Sequence, residues 1–349
     1  MLNVGFAIPG DLQAPTGGYA YARELFRRFA AHDIQASHIQ LPAGFPFPDA
    51  NDIADTESRF AQIGPQTPLL IDGLAYGAFP EHLAAALPHP LVALIHHPLA
   101  RETGLSDEQV ASLKQSERAA LRRADRVITT STETADILAR CYDVSADKLS
   151  VAEPGTPAPR RHRGSQSATM QLLAVGAVSH RKGYDVLCSA LAGLSDETWH
   201  LTIVGDTTRN PAVTETLRRQ IADDGLADRV TLTGAATADE LDRQYHNADI
   251  FVHAAHYEGY GMVLTEALSR GLPIVTTSNG AAAEAISHDA AIKVPADDVS
   301  ALAAALAAVI GDAAQRRHLS DCAWAAAQTL PTWDQTTQTV AKVLRGIAE

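Results

Sequence analysis

The stretch AAHYEGYGMVLTEALSRGLPIVTT, from Ala254 to Thr277, combines two glutamates with a glycine-rich turn and a helical pattern. Glu258 precedes the Gly-Tyr-Gly turn, and Glu266 is expected about two turns into the helix that follows. An apolar run at Ile250–Val252 indicates a buried strand before the stretch, and Pro273 opens a second strand after the helix. This order is typical of a parallel sheet covered by helices, with both glutamates near the carboxyl end of a strand.

The same alternation of strands and helices runs through most of the chain, which predicts an α/β fold. Strands are predicted at 2–8, 34–40, 68–72, 90–95, 126–130, 148–152, 171–178, 199–204, 229–233, 250–253, 273–276 and 290–294. Helices are predicted at 19–31, 80–87, 107–123, 132–141, 184–193, 211–223, 238–246, 261–270, 299–310, 313–328 and 333–347. The Pro- and Gly-rich segment 153–165 divides the chain, so we expect two doubly wound domains with ligands in a cleft between them.

Composition and charge exclude several classes of protein. The formal net charge of −13 argues against a nucleic-acid partner, because phosphates would repel the chain. No apolar run approaches the roughly 20 residues of a membrane span, and we expect no signal peptide and no transmembrane segment. The three cysteines are far apart, with neither a disulfide framework nor zinc spacing, so a cytoplasmic location is expected.

Three loops at predicted strand ends contain residues suited to an anionic or sugar ligand. Gly17 and Gly18 open a helix after the first strand, which suits close approach to a phosphate, although a tight turn explains them equally well. His96 and His97 end the strand at 90–95, and we interpret one of them as functional. Arg181 and Lys182 lie before another helix, where they could hold a diphosphate or remain solvated charges.

The opening stretch offers backbone groups as well as carboxylates. The amides of Gly259, Tyr260, Gly261 and Met262 can point at a phosphate. Glu266 could accept hydrogen bonds from a ribose, since the apolar residues around it predict a largely buried helix. The nicotinamide fingerprint fails here, because Leu264 stands at its third glycine position.

A row of basic residues recurs at four-residue steps at Lys114, Arg118, Arg122 and Arg126. We interpret it mainly as a solvated helix face, partly neutralised by Glu117 and Asp125. The alternatives are a contact with an anionic acceptor or a weak contact with an anionic membrane surface, and the second would make the protein peripheral at the inner membrane face. The segments 42–52, 72–79 and 99–105 are interpreted as loops that shape an acceptor site.

Together these features resemble the retaining family-4 glycosyltransferases of the GT-B fold. The resemblance rests on Gly17-Gly18, the histidine at a strand end, the segment 124–131, Arg181-Lys182-Gly183, and the pair Glu258 and Glu266. It covers nearly the whole chain and implies two Rossmann-like domains. An acceptor-side domain at 1–157 would be completed by 333–349 packing back on it, and 158–332 would bind the nucleotide sugar.

The resemblance also implies a role for each site residue. Arg181 and Lys182 would hold the diphosphate, and Glu258 and His96 would act on the donor sugar, so these four receive the catalytic roles. Donor binding is expected from the remaining candidates: Gly17, Gly18, His97, Gly259, Tyr260, Gly261, Met262 and Glu266. This chain departs from many members of the family at Ala177, where they carry an arginine, and that departure places more of the phosphate charge on Arg181 and Lys182.

The implied activity is hexosyl transfer from a nucleoside-diphosphate sugar to a hydroxyl acceptor in carbohydrate biosynthesis. The acceptor could be a glycan, a lipid-linked sugar or a small molecule, and UDP, GDP and ADP donors all fit. No cofactor or metal is expected, and a front-face mechanism is favoured over two carboxylates acting as acid and nucleophile. Three alternatives remain: a sugar-nucleotide epimerase, an inverting transferase on the same scaffold, and a non-catalytic nucleotide-sugar binder.

Overall fold

The structure is a computed structural model that describes residues 1–102, 104–280 and 286–348. The chain divides into two compact units, one formed by Met1–Gly155 with Pro331–Glu349 and the other by Thr156–Leu330. Each unit is built on a six-stranded sheet in which neighbouring strands run parallel. The α/β fold expected from the alternation of strands and helices is therefore observed in both units.

In the sheet of the first unit, the order in which strands are added changes direction after the second strand. Its strands are β1 (Leu2–Pro9), β2 (Ile34–Leu41), β3 (Leu69–Asp72), β4 (Leu91–Ile95), β5 (Arg126–Thr129) and β6 (Leu149–Val151). Its helices before the division are α1 (Gly17–Arg28), α2 (Ala50–Ala61), α3 (Gly73–Tyr76), α4 (Glu81–Ala86), α5 (Asp107–Arg123) and α6 (Thr132–Cys141). The strand order β2-β1-β3-β4-β5-β6 places the switch point between β1 and β3, where doubly wound sheets bind ligands.

The second unit has the strand order of a dinucleotide-binding domain. Its strands are β7 (Met170–Val175), β8 (Trp199–Val204), β9 (Val230–Gly234), β10 (Ile250–His253), β11 (Ile274–Thr277) and β12 (Ala291–Val294). Its helices include α7 (Tyr184–Ala192), α8 (Pro211–Asp223), α9 (Ala238–Asn247), α10 (Met262–Ser269), α11 (Val299–Gly311) and α12 (Ala313–Ala327). The order β12-β11-β10-β7-β8-β9 places the switch point between β7 and β10.

Burial explains why the strand patterns are nearly continuous apolar runs. Every residue of β4 and of β10 is buried, as expected for parallel strands that are covered on both faces. Amphipathic helices show the complementary pattern, and α5 buries Leu113, Ala120 and Leu121. The predicted bounds of α5 and β8 agree with the structure to the residue.

The interpretation of 42–52 and 72–79 as loops is wrong in part, because each contains the start of a helix. Asp49 caps α2 by accepting the N–H groups of Asn51 and Asp52, and the Asp52 side chain accepts the N–H of Asp49 in return. Asp72 caps the short helix α3. In both cases an aspartate before a helical pattern was the available signal, and the prediction overlooked it.

The C-terminal helix α13 (Trp333–Gly346) belongs to the first unit. Its residue Trp333 packs against Tyr21 with ring centroids 5.5 Å apart, and Thr336 donates a hydrogen bond to the Glu153 carbonyl at 2.7 Å. Gly155 is required where the two segments meet, because a Cβ there would lie 2.1 Å from the Trp333 nitrogen. The chain thus returns to complete the core of its N-terminal unit.

The basic row is not one helix face. Arg126 lies on β5 and not on α5, which ends at Arg123. Arg118 and Arg122 pair with Asp143 on another segment. Glu117, expected to neutralise the row, is fully buried instead. Three residues of the row, Lys114, Arg118 and Arg122, therefore lie on α5, and the two arginines are paired with Asp143.

No single helix within residues 1–102, 104–280 and 286–348 is long and apolar enough to cross a membrane. Within the described residues, α11 and α12 together pass the same test of length and composition, but they are bent by 100° at their junction.

Candidate functional site

The switch point of the second unit brings two cations and a carboxylate together. Arg181 and Lys182 lie in a 3-10 turn that follows β7, and Glu258 lies in the loop that follows the neighbouring strand β10. The Lys182 Nζ lies 2.6 Å from Glu258 Oε2, and Arg181 Nη1 lies 3.0 Å from Oε1. Each carboxylate oxygen of Glu258 therefore faces one cation.

Backbone contacts hold the same two loops in register. Arg181 Nη1 also donates to the Tyr257 carbonyl at 2.9 Å, and the His256 N–H donates to the Arg181 carbonyl at 2.9 Å. Gly183, in the left-handed region with φ of 61°, allows close approach because a Cβ there would lie 2.1 Å from the Ala254 carbonyl oxygen. The glycine of the Arg-Lys-Gly turn thus permits contact between two adjacent strand ends.

Gly176 makes room for the lysine. Its φ is 148°, and a Cβ at this position would lie 2.7 Å from Lys182 Cε. The Lys182 side chain therefore passes directly over the glycine that follows β7. A side chain at 176 would displace the ammonium group from Glu258.

The cations decide the protonation state of Glu258. Burial by itself would raise the pKa of this carboxyl, but the charges of Lys182 and Arg181 outweigh burial and hold the pKa well below its usual range. Glu258 is therefore a carboxylate at neutral pH, which accepts hydrogen bonds and cannot serve as a general acid.

His253, the last residue of β10, joins this cluster and was not predicted. Its side chain is 5% exposed, and its Nε2 lies 3.4 Å from Glu258 Oε2. Burial lowers the pKa of His253, and the nearby Lys182 charge lowers it further, while Glu258 opposes both. The signal in the sequence was weak, since a single histidine at the end of an apolar strand is usually structural.

The predicted glycine turn leads into the N-terminus of α10. Gly261 caps the helix with φ of 77°, and Met262 is its first residue. Gly259 and Tyr260 occupy the turn between Glu258 and this cap, and Tyr260 is buried. The first amides of this eight-residue helix thus come a few residues after Glu258 in the chain. The dipole of the helix favours an anion at its N-terminus.

Glu266 lies little more than one turn into α10, and not two turns as predicted. Its Oε2 accepts a hydrogen bond from the Tyr245 hydroxyl at 2.8 Å. Burial raises the pKa of Glu266, although Tyr245 and Arg270 oppose the shift. Two of its neighbours on the helix, Leu264 and Leu268, are buried as the apolar pattern indicated.

In the first unit, Gly18 and His96 are brought together. Gly17 and Gly18 open α1, whose cap Thr16 accepts the Tyr19 N–H at 3.3 Å. His96 follows β4, and a Cβ on Gly18 would lie 3.3 Å from both Cδ2 and Nε2 of its ring. The glycine pair is therefore more than a tight turn, since the second glycine lets the helix start lie against the imidazole.

His97 has a different environment from His96. Its Nε2 lies 3.3 Å from Glu102 Oε2 in the segment that follows. His96 packs instead against Gly18 and Tyr21, with the two rings edge to face at 5.4 Å. This difference supports His96 over His97 as the better candidate of the two.

Among the residues that the structure describes, no group of three or more His, Cys, Asp or Glu side chains could hold a metal ion.

Family models match most of the chain. Residues 158–323 match the model described as Glycosyl transferases group 1, and residues 72–158 match Glycosyltransferase Family 4. The first match contains the whole cluster of Arg181, Lys182 and Glu258, and the second contains His96.

Similar proteins include the D-inositol 3-phosphate glycosyltransferase of Pseudarthrobacter chlorophenolicus. It is 34% identical over 176 residues, which are 46% of this chain and 41% of that protein. The chain thus spans less than half the length of this relative.

Solved structures resemble the chain over almost its full length. Sucrose-phosphate synthase from Thermosynechococcus elongatus superposes with a TM-score of 0.81 at 20% identity, covering 99% of each chain. The Anabaena protein HepE, solved in complex with UDP and glucose, gives a TM-score of 0.80 at 18% identity, covering 99% of this chain and 100% of that one. At these identities the likeness concerns the fold.

Proposed function

Because the chain belongs to the family-4 glycosyltransferases and has the predicted GT-B fold, we propose that it transfers a sugar from a nucleoside-diphosphate donor to a hydroxyl acceptor. The observation that carries the proposal is the cluster of Arg181, Lys182 and Glu258 at the switch point of the second unit. Two cations, a helix N-terminus and a carboxylate match the diphosphate and the hydroxyls of a nucleotide sugar.

The diphosphate would replace Glu258 as the partner of the two cations. Guanidinium and ammonium groups form strong charge-assisted hydrogen bonds with phosphate oxygens, and the amides of α10 add further donors. Glu258, released from one or both cations, would then accept hydrogen bonds from sugar hydroxyls. Glu266, held by Tyr245, would accept hydrogen bonds from the ribose.

The same cations would assist departure of the nucleoside diphosphate. Negative charge grows on the bridging phosphate oxygen as the bond to the anomeric carbon breaks, and preorganised cations stabilise that charge. Arg181 and Lys182 would supply this stabilisation from the protein itself, so the proposal needs no metal ion.

We propose retention of configuration by front-face transfer. Glu258 is kept ionised by two cations, which does not suit the acid of a glycosidase pair, and Glu266 is assigned to the ribose, so no second carboxyl is left beside the reacting carbon. The acceptor oxygen would bond to the anomeric carbon on the face that the phosphate leaves. Its proton would pass to a phosphate oxygen of the departing nucleoside diphosphate.

A thermal-shift panel should identify the donor, because a bound ligand raises apparent stability by mass action. UDP, GDP and ADP and their hexose derivatives form the panel, with UDP-glucose first because HepE was solved with UDP and glucose. Phosphorylated polyols such as inositol 3-phosphate enter as acceptors because one similar protein is a D-inositol 3-phosphate glycosyltransferase.

Site variants then separate transfer from binding. Lys182→Ala and Glu258→Ala should fold and lose transfer, whereas the exposed Lys114→Ala should keep it. Wild-type turnover in both site variants would refute the assignment of the site. Donor binding without any transfer would favour a nucleotide-sugar binder, and interconversion of the donor sugar without an acceptor would favour an epimerase.

A further inference from the structure

A buried carboxylate lies beside His96 in the first unit. Asp72, the last residue of β3, is 3% exposed. Its Oδ1 accepts the Leu74 N–H at 2.9 Å and so caps α3. Its Oδ2 lies 3.6 Å from His96 Nε2. One oxygen therefore serves the backbone, and the other faces the imidazole.

The imidazole is enclosed along the edge that bears Nε2. Gly18 lies against Cδ2 and Nε2, and Tyr21 packs edge-on against the ring. The Nε2 atom is buried and makes no hydrogen bond within the described residues. Since 23% of the side chain is nevertheless exposed and Nε2 is buried, Nδ1 is the ring nitrogen that remains available to a ligand.

The backbone of His96 is held as firmly as its ring. Its carbonyl oxygen accepts hydrogen bonds from the hydroxyls of Thr130 at 3.2 Å and Thr134 at 3.4 Å. Tyr21 is fixed in turn by a 2.9 Å hydrogen bond to the Ala152 carbonyl. Rotation of the ring to present Nε2 instead would be opposed by Gly18 and Tyr21, which lie against it.

We propose that Asp72 is a positioning residue that keeps the imidazole proton of His96 on Nε2, so that Nδ1 meets the substrate as a hydrogen-bond acceptor. A proton on Nε2 is attracted by the adjacent carboxylate, whereas a lone pair there would be repelled by it. The matching ligand group is a sugar hydroxyl, which donates to Nδ1. The inference rests on the proposed glycosyl transfer and adds the tautomer, its cause and the polarity of the contact.

The position of Asp72 in the sheet supports a ligand role over a purely structural one. Asp72 ends β3, and Gly17-Gly18 follow β1, the two strands that flank the switch point of this sheet. His96 follows the next strand, β4. Capping α3 uses only Oδ1, and a serine could perform it, so the cap alone does not account for a carboxylate facing His96.

Two variants separate the cap from the tautomer. Asp72→Ser keeps an acceptor for the Leu74 N–H but is too short to reach His96. Asp72→Asn keeps the shape and can keep the cap, but its amide can present a donor to Nε2 and so favour the proton on Nδ1. We expect Asp72→Asn to lower kcat/KM by roughly tenfold or more, and Asp72→Ser by less.

Nitrogen-15 NMR of histidine-labelled full-length protein reads the tautomer directly, with His96→Gln identifying the signals. The expected result is the Nε2–H form in the wild type and a shift towards Nδ1–H in Asp72→Asn. An Nδ1–H form in the wild type, or equal activity of Asp72→Asn and the wild type, would overturn the proposal. The NMR result does not depend on transfer activity. A failure of the tautomer proposal can therefore be distinguished from a failure of the proposed function.

Kinetics assign the hydroxyl to the donor or to the acceptor. If the donor sugar supplies it, Asp72→Asn should slow hydrolysis of the donor in the absence of acceptor by the same factor as transfer. If the acceptor supplies it, donor hydrolysis should be unchanged and KM for the acceptor should rise. Either pattern supports the contact through Nδ1, and no change in either rate contradicts it.

Discussion

Replacing Glu117 by glutamine should remove a pH dependence of stability that this buried carboxyl imposes on the first unit. Glu117 lies on α5 and is fully buried, with Oε2 accepting the Leu99 N–H at 3.1 Å. Burial raises the pKa of Glu117 from its ordinary value of 4.5 to about 8, although hydrogen bonds from Leu99 and Tyr142 oppose the shift. Glutamine has nearly the same shape and carries no charge at any pH.

The sign follows from proton binding. Between the two pKa values the folded protein keeps a proton that the unfolded chain has released, so the free energy of unfolding falls as the pH rises. One such group contributes a slope of about 1.4 kcal/mol per pH unit. From about pH 5.5 to about pH 7.5 the wild type should therefore lose roughly 2.7 kcal/mol relative to Glu117→Gln. Replacing the carboxyl hydroxyl by an amide also changes the free energy of unfolding by an amount that does not depend on pH.

Hydrogen exchange measured by mass spectrometry on peptides from β4 and α5 gives the opening free energy of this unit at each pH. Glu108→Gln, at an exposed position in the first turn of the same helix, is the matched control and should leave the pH dependence unchanged. A difference between wild type and Glu117→Gln that stays constant within about 0.5 kcal/mol over this range would refute the reasoning.

Three further outcomes are expected. Glu258→Gln should abolish transfer yet tighten binding of the nucleoside diphosphate by roughly fivefold. The reason is that the diphosphate then no longer has to displace a carboxylate from Arg181 and Lys182. Weaker binding by calorimetry would contradict this. Glu266→Gln should weaken the same binding by about tenfold through loss of charged hydrogen bonds to the ribose, and unchanged affinity would exclude that role. Trp333→Ala should cost the first unit about 3–5 kcal/mol in urea unfolding, and a loss below about 1 kcal/mol would show that the C-terminal helix is not part of its core.

Local patterns predicted most of the fold. Apolar runs located β4 and β10, and helix periodicity located α5, because strand burial and helix periodicity depend on residues close in sequence. The helix α2 was missed although its cap, Asp49, was present in the sequence. The error shows that an acidic cap can be mistaken for a polar loop when the apolar residues after it are sparse.

The candidate site divides in the same way. Glycines, a basic pair and a glutamate at strand ends were visible in the sequence, since parallel strands carry their functional residues on the loops at their carboxyl ends. The contact between Lys182 and Glu258 joins residues 76 positions apart, and no local pattern contains that distance. The involvement of His253 likewise follows from its burial next to Glu258.

The sequence by itself thus determined that this chain forms two doubly wound units and which loops carry polar residues, because periodicity, caps and glycine turns are local properties. Only the tertiary structure decided which charges meet: Glu258 faces Arg181 and Lys182, Asp72 faces His96, and Glu117 leaves the surface for the core. Charges interact through space over a few ångströms, and burial changes their pKa values. Those distances arise when strands distant in sequence become neighbours in a sheet.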